Sequence, residues 1–108
     1  MMEIKTPTDF KNSLRETEPS EELSVYGKAL WWAGKGNWNK AHDLIQNLVD
    51  KPASNIHAYL HRYEGDISNA HYWYSKANLK MPDQSLENEW EALVMKYFDP
   101  FLVLNRVR

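Results

Sequence analysis

The sequence predicts an all-α domain built as a stack of two helical hairpins with a capping helix at each end. Apolar residues recur at spacings of three, four and seven over most of the chain, which is the pattern of one helix face. No segment alternates apolar and polar residues in the way that a half-buried strand does. Gly and Pro residues separate the periodic segments, and the chain matches itself when it is shifted by 29 residues.

The first two predicted helices lie in the N-terminal third of the chain. Thr8 is the expected N-cap of a short helix that runs to about Glu16. Ser20 precedes two acidic residues that a helix dipole favours, so we expect a longer helix to begin there and to end at Gly34 and Gly36. The predicted core face of this second helix consists of Leu23, Tyr26, Leu30 and Ala33.

The third and fourth helices follow the first glycine turn. The third is predicted over residues 37–50, and Pro52 is expected to stop it. Ser54 or Asn55 is the expected N-cap of the fourth helix, which Gly65 closes. The predicted core faces are Trp38, Ala41, Ile45 and Leu48 in the third helix, and Ile56, Tyr59, Leu60 and Tyr63 in the fourth.

Two further helices and a short tail complete the prediction. Asp66 is the expected N-cap of the fifth helix, which Pro82 ends, and Ser85 is the expected N-cap of the sixth. Residues 101–107 are predicted to form an apolar tail that either packs back on the bundle or forms a homodimer contact with a second copy. The predicted core faces are Ile67, Ala70, Tyr74 and Ala77, followed by Leu86, Trp90, Leu93, Val94 and Tyr97.

The composition indicates one small domain over residues 1–108, of which 43% are hydrophobic. Within it, the predicted hairpins span residues 20–52 and 54–82, and the C-terminal helix and tail span 85–108. The lack of Cys excludes disulfides, thiolate metal sites and a cysteine nucleophile. A net charge of −2 argues against nucleic-acid and membrane-surface partners. Since no signal peptide or apolar span is evident, the sequence predicts a cytoplasmic protein.

The internal repeat pairs a glycine turn with a small residue in the helix that follows it. Gly36 and Ala41 recur as Gly65 and Ala70, so each copy reads as a helical hairpin whose backbones approach closely at Ala. The second copy resembles the tetratricopeptide repeat (TPR) in its residues Gly65, Ile67, Ala70, Tyr74, Ala77 and Pro82. The resemblance covers about residues 23–82 and implies a TPR-like stack of hairpins that binds partners through rigidly presented side chains.

A second resemblance covers the turn between the fourth and fifth helices. His61-Arg-Tyr-Glu-Gly-Asp and Asn69-Ala-His-Tyr-Trp-Tyr are similar to an HR-x-EGD-x-x-NA-x-YWY pattern in small bacterial proteins. This similarity implies a shared fold. It carries no function, because none is known to us for those proteins.

Two histidines one helical turn apart form the first candidate site. His57 and His61 point the same way from the fourth helix, and Glu64 follows one turn later. Two imidazoles at this spacing can reach one divalent metal ion, but the glutamate of the metalloprotease motif is lacking, so metalloprotease chemistry is not indicated. The favoured interpretation is that these histidines bond to a neighbouring helix, and the alternative is that they bind a ligand. No metal site is predicted, although His57 and His61 are weak candidates for one.

The other two histidines occupy equivalent positions in the two hairpins. His42 and His71 each follow the small Ala of the second helix of their hairpin. If the hairpins stack in register, all four histidines could form one polar pocket. Because recurrence at the repeat period is itself a sign of a structural role, packing is the favoured interpretation for this pair.

Polar residues at the second glycine turn allow three interpretations. Asp66 is most simply an N-cap, and Arg62 with Glu64 could be a solvated ion pair. Arg62 beside two histidines could instead bind a carboxylate or a phosphate. In a catalytic interpretation one histidine is a general base and Glu64 orients it.

Not all of the fourteen aromatic residues can lie inside so small a domain, so some either mark a binding surface or fill gaps between small helices. Trp31 and Trp32 are adjacent, so at most one of them can point to the centre of the core. Tyr72 lies about 160° around the helix from the core residue Tyr74 and is expected to face solvent or a partner. Trp38 and Trp90 are expected in the core.

These observations favour a non-catalytic binding or scaffolding module without a cofactor. Its partner would be a protein, a peptide or a small polar ligand, because exposed aromatic and histidine side chains suit recognition. The candidate binding residues are Trp31, Trp32, His57, His61, Arg62, Glu64, His71 and Tyr72. The alternative is a small enzyme or a metal-binding protein that uses His57, His61 and Glu64.

Overall fold

The computed structural model describes residues 4–98, and within this range the chain forms six helices and no strand. The predicted all-α class is therefore confirmed for the described residues. The predicted tail at 101–107, with its dimer contact, lies outside them. The helices are α1 (Pro7–Ser13), α2 (Val25–Gly34), α3 (Trp38–Ile45), α4 (Lys51–Glu64), α5 (Ile67–Lys76) and α6 (Leu86–Tyr97).

The first two helices begin at other residues than the sequence predicted. Thr6, not Thr8, caps α1, because its hydroxyl accepts from the Asp9 amide while the Asp9 carboxylate accepts from the Thr6 amide. Ser24, not Ser20, caps α2. The Ser20 hydroxyl accepts from the Glu22 amide in a local turn that precedes the helix.

The predicted boundary between the third and fourth helices was wrong. Helix α3 ends at Ile45, and α4 begins with Asp50 as its N-cap, so that Pro52 lies in the first turn of α4 rather than stopping the previous helix. Proline suits that position because the first-turn amides have no partner within the helix. Ser54 and Asn55, the predicted caps, are buried inside α4.

The later helix starts are confirmed. The side chains of Asp66 and Ser85 cap α5 and α6 by accepting from the amides three residues on. Gly65 has a φ of 89°, the left-handed conformation that glycine adopts without a steric penalty. Helix α5 ends at Lys76 and does not extend to Pro82. Two residues after its end, Asn78 adopts the left-handed conformation.

The helices pack as two pairs of consecutive helices, and one helix of each pair also contacts α6. Helix α2 packs against α3 and α4 against α5, while α2, α4 and α6 contact one another and α1 packs on α6. At Gly34 the helices approach so closely that an added Cβ would lie 2.7 Å from the Trp90 ring. The largest fully buried side chains are Trp31, Tyr74, Phe10, Leu30, Ile45, Ile56, Leu60 and Val94.

Some predicted core residues lie elsewhere. Trp90 is buried as expected, and Trp38 is half-buried. Tyr63 and Ile67, which the spacing assigned to core faces, are 47% and 45% exposed. Tyr63 and Ile67 flank the Gly65 turn, which joins the two helices of the second hairpin. Within the described range, no other helix covers their side chains at this turn.

Candidate ligand site at the histidine cluster

Three of the four histidines meet where α3 packs on α4. His57 and His61 lie one turn apart on α4 and are only 4% and 6% exposed, and His42 of α3 is half-buried against them. A ring nitrogen of each lies within 4.8 Å of the others. We call His42, His57 and His61 the histidine cluster.

Helix α3 is tied to α4 beside this cluster. The Trp38 indole donates a 2.7 Å hydrogen bond to the carbonyl of Leu60, which lies between the two histidines of α4. Ala41, directly before His42, is fully buried, and its small side chain allows the α3 backbone to approach the core. The predicted role of Ala in close helix contact is thus consistent with its burial.

The shortest distance in the cluster joins two different helices. His42 Nε2 and His57 Nε2 are 3.1 Å apart, and their rings meet nearly at right angles. One of the two imidazoles donates its N–H and the other accepts it, so at most one of these nitrogens carries a proton. The His57 and His61 rings stack, with centroids 4.9 Å apart and planes at 25°.

Two tryptophans form the walls of the cluster. The Trp38 ring stacks on His42 at 4.5 Å between centroids, and the Trp73 ring stacks on His57 at 3.9 Å. Sequence reasoning gave Trp73 no role. Its spacing of three residues from Ala70, which packs against α4, was the signal that could have placed it on the inner face of α5.

Glu64 orients one imidazole of the cluster. Its Oε1 lies 2.7 Å from His61 Nδ1, one turn along α4. This contact engages Nδ1 and leaves Nε2 as the nitrogen of His61 that is available to a ligand. The carboxylate is partly exposed, whereas the imidazole that it holds is buried.

His57 carries a polar atom without a partner. Its Nδ1 is buried and has no hydrogen bond in the described structure. Burial, followed by the neighbouring His42 and His61, lowers the pKa of His57 to about 4. Burial, followed by the charge of His61, also lowers the pKa of His42. Both shifts favour the neutral imidazole form of His42 and His57 at neutral pH.

Arg62 belongs to a different group of buried residues. It donates to Glu89 Oε1 at 2.7 Å and to the carbonyl of Gln84, while the Tyr74 hydroxyl donates to Glu89 Oε2 at 2.6 Å. We call Arg62, Tyr74 and Glu89 the Glu89 network. The prediction that Arg62 and Glu64 form a solvated pair is wrong, because each has another partner.

Glu89 is a buried residue that sequence reasoning missed. It is the most enclosed acidic side chain in the described part of the chain, and it lies three residues after Leu86 on the inner face of α6. A charged residue at a core position of the apolar pattern was the available signal. Burial, together with the Glu89 hydrogen bond, raises the pKa of Tyr74, so its hydroxyl remains a donor.

The remaining predicted site residues do not join the cluster. Trp31 is fully buried and donates to the Ser13 hydroxyl, so it lies in the core rather than on a binding surface. Trp32 is half-buried with the Lys40 ammonium 4.1 Å above its ring centre. His71 and Tyr72 are exposed, as expected for Tyr72, and the predicted pocket of all four histidines is thereby reduced to three.

No protein-family model matches this chain, and neither the curated proteins nor the solved structures include a significant match. Among the described residues, none of the helices has both the length and the apolar character that crossing a membrane requires.

Proposed function

We propose that the chain is a non-catalytic binding module that holds a small polar ligand or ion at the histidine cluster. The observation that carries this proposal is the convergence of ring nitrogens from three imidazoles on two helices, in a cluster where the Nδ1 of His57 is buried and lacks a hydrogen-bond partner. A buried polar atom left without a partner costs roughly 1–3 kcal/mol. A ligand that forms a hydrogen bond with this Nδ1 would remove that cost.

The surroundings suit a rigid binding site. Trp38 and Trp73 fix the rings of His42 and His57 by stacking, and Glu64 fixes His61. Side chains held in this way lose little conformational entropy when a ligand binds. Because His42 is the most exposed histidine of the cluster, a ligand would approach from its side.

A TPR-like arrangement is part of this proposal. The pairing of α2 with α3 and of α4 with α5, together with the contact between α2 and α4, supports such a stack of hairpins. In this view the module acts in the cytoplasm, and the ligand site lies between α3 of the first hairpin and α4 of the second. A protein or peptide partner would contact the exposed residues at its edge, such as Tyr72.

A thermal-shift screen tests the proposed function. The purified chain is screened against divalent metal salts, organic acids, phosphates, nucleotides, sugars and peptides. A ligand at about a hundred times its dissociation constant stabilises the folded state by roughly 2.7 kcal/mol, which is readily measured for a domain of this size. His42→Gln is the test variant, and His71→Gln is the matched control, because His71 is an exposed histidine outside the cluster.

The expected result is at least one ligand that stabilises the wild type and His71→Gln but not His42→Gln. A screen in which no compound separates the two variants would contradict the proposed function. Circular dichroism of each variant without ligand establishes that both are folded.

Catalysis is the second candidate, because one observation favours it. The 2.7 Å contact between His61 and Glu64 is the arrangement in which a carboxylate orients a general base. A panel of activated esters would measure hydrolysis by the wild type, Glu64→Gln and the His71→Gln control. Catalysis predicts that only Glu64→Gln loses activity, and equal rates in all three proteins would exclude this role.

A further inference from the structure

The spacing of two nitrogens in the cluster matches that of two ligands on one metal ion. His42 Nε2 and His57 Nε2 are 3.1 Å apart. Two imidazole nitrogens bound to a tetrahedral Zn²⁺ at about 2.0–2.1 Å lie about 3.3 Å from each other. The two helices therefore already hold these nitrogens at nearly the separation that a shared ion requires.

The chemistry of the donors selects one class of ion. Neutral imidazoles suit Zn²⁺, Ni²⁺ and Cu²⁺, whereas Ca²⁺ and Mg²⁺ prefer oxygen ligands. The cluster offers nitrogen donors from three imidazoles whose ring nitrogens lie within 4.8 Å of one another, between the rings of Trp38 and Trp73.

Glu64 provides the support that metal-binding histidines commonly have. A ligating imidazole usually bonds through its other ring nitrogen to a carboxylate, a carbonyl or a water, which fixes its orientation and raises its basicity. The Glu64 carboxylate stands in this relation to His61 Nδ1. His61 Nε2 is consequently left as the third donor.

Binding of all three histidines requires one movement. A metal ion lies in the plane of each imidazole that binds it, and the His57 and His61 rings are now stacked at 25°. One ring must therefore turn about its side-chain bonds when the ion enters. Because Trp73 stacks on His57 at 3.9 Å, a rotation of His57 would change the surroundings of this indole and thus its fluorescence.

From these observations we propose that the cluster binds one divalent transition-metal ion, with His42, His57 and His61 as its protein ligands. This inference rests on the proposed function, because it names the ligand of the same site. Three protein ligands leave at least one position of a tetrahedral ion for water or an exogenous ligand. Glu64 acts as a positioning residue through His61.

The test is a titration of the metal-free full-length chain with Zn²⁺ or Ni²⁺ at pH 7.5, followed by calorimetry and by elemental analysis after dialysis. Ca²⁺ serves as the oxygen-preferring comparison ion. The variants are His42→Gln, which removes a half-buried ligand, Glu64→Gln, which removes the positioning carboxylate, and His71→Gln as the control. Circular dichroism checks the fold of each variant.

The proposal predicts one equivalent of Zn²⁺ or Ni²⁺ in the wild type and in His71→Gln, and no binding of Ca²⁺. We expect Glu64→Gln to lower the affinity about 10–100-fold, as changes beyond the ligand shell do, and His42→Gln to lower it more. If His42→Gln does not fold, the Glu64→Gln result and the Ca²⁺ comparison decide the question. With Co²⁺ as the probe, visible absorption typical of nitrogen ligands should appear in the wild type and weaken in His42→Gln.

Three outcomes would overturn the proposal. Equal affinity in the wild type and His42→Gln would mean that the ion is held elsewhere. A larger loss in Glu64→Gln than in His42→Gln would make the carboxylate a ligand in place of His42. Absence of transition-metal binding, alongside an organic ligand found in the thermal-shift screen, would overturn this inference and leave the proposed function intact.

Discussion

Helix α4 carries residues of two buried polar groups, and the groups differ in how completely their atoms are partnered. In the Glu89 network, both carboxylate oxygens accept hydrogen bonds, one from Arg62 and one from Tyr74. In the histidine cluster, His57 Nδ1 has no partner in the described structure. The two groups adjoin in the sequence of α4, since His61 belongs to the cluster and Arg62 belongs to the network.

We interpret this difference as one between a structural role and the proposed binding role. A satisfied polar network fixes one arrangement of the helices that it joins, here α4, α5 and α6. An incompletely satisfied cluster lowers stability, and such a cost is common at sites that bind ligands. The four predictions below test this contrast, from the largest expected effect to the smallest.

The first prediction concerns Glu89. Glu89→Ala removes the partner of both Arg62 and Tyr74, so a guanidinium and a hydroxyl are left in a largely buried environment. Breaking a buried ion pair from one side costs about 3–5 kcal/mol, and we expect about 3 kcal/mol because Arg62 can partly reach solvent. Urea unfolding followed by circular dichroism measures the loss.

Glu91→Ala is the matched control on the same helix. Glu91 pairs with Lys11 at the surface, so its removal should change the free energy of unfolding far less. Equal losses in Glu89→Ala and Glu91→Ala would contradict the structural role of the network.

The second prediction concerns acid. Because the pKa of His57 is about 4 in the folded chain and about 6.5 when unfolded, the unfolded state binds the extra proton between these values. The contribution to stability is therefore fully present above pH 6.5 and is lost as the pH falls to 4. We expect the free energy of unfolding to fall by about 2 kcal/mol over this range. A pKa shift corresponds to ~1.4 kcal/mol per unit, and we expect less than the full value because solvent beside the half-buried His42 screens part of the charge on His57.

Carboxylates also titrate toward the lower end of this range, and they contribute to the pH dependence of stability. The metal-free wild type is therefore compared with metal-free His57→Phe, which contains the same carboxylates. The free energy of unfolding, measured from pH 7.5 to pH 4, should fall more steeply in the wild type than in this variant. Parallel curves would show that His57 is not held neutral by the fold.

The third prediction concerns Tyr74. Tyr74→Phe deletes one hydrogen bond to Glu89 but keeps the ring in the space between α4 and α5. Glu89 retains Arg62, so we expect a loss of about 1.5 kcal/mol, near the lower limit for a hydrogen bond to a charged group. Chemical denaturation measures the free energy of unfolding of Tyr74→Phe. A loss as large as that of Glu89→Ala would mean that the pair of Arg62 with Glu89 does not contribute to stability.

The fourth prediction has the smallest expected effect. His57→Phe removes a buried nitrogen that has no partner, but it also removes the hydrogen bond between His57 and His42, and the new ring can still stack on Trp73. Because these two changes offset each other, the metal-free variant should differ from the wild type by less than about 1 kcal/mol. A loss of several kcal/mol would indicate that His57 serves the fold rather than a ligand.

The apolar periodicity predicted the helices well where a cap or a glycine marked their ends. The Asp66 and Ser85 caps and the Gly65 turn were identified correctly, because their side chains or conformations act within a few residues. Pro52 misled the prediction, since proline is equally compatible with a helix stop and with a first turn. Only the packing of α4, which buries Ser54 and Asn55, decides between these two roles.

The candidate site was predicted in part. The four-residue spacing of His57 and His61 identified one half, because both lie on one helix. His42 joins them from α3, whereas His71, its equivalent in the repeat, faces solvent on α5. The two positions differ because α4 of the next hairpin packs against α3 beside His42. The partner of Arg62 was not predictable for the same reason, since Glu89 is 27 residues away in sequence.

The most direct test of the histidine cluster as a metal-binding site is nitrogen NMR of the four histidine rings at pH 7.5, before and after addition of Zn²⁺. This measurement reports the protonation and ligation of each imidazole separately. The account predicts that the ring nitrogens of His42, His57 and His61 change together while those of His71 do not. Resonances of the three cluster histidines that stay unchanged, or that change no more than those of His71, would contradict it.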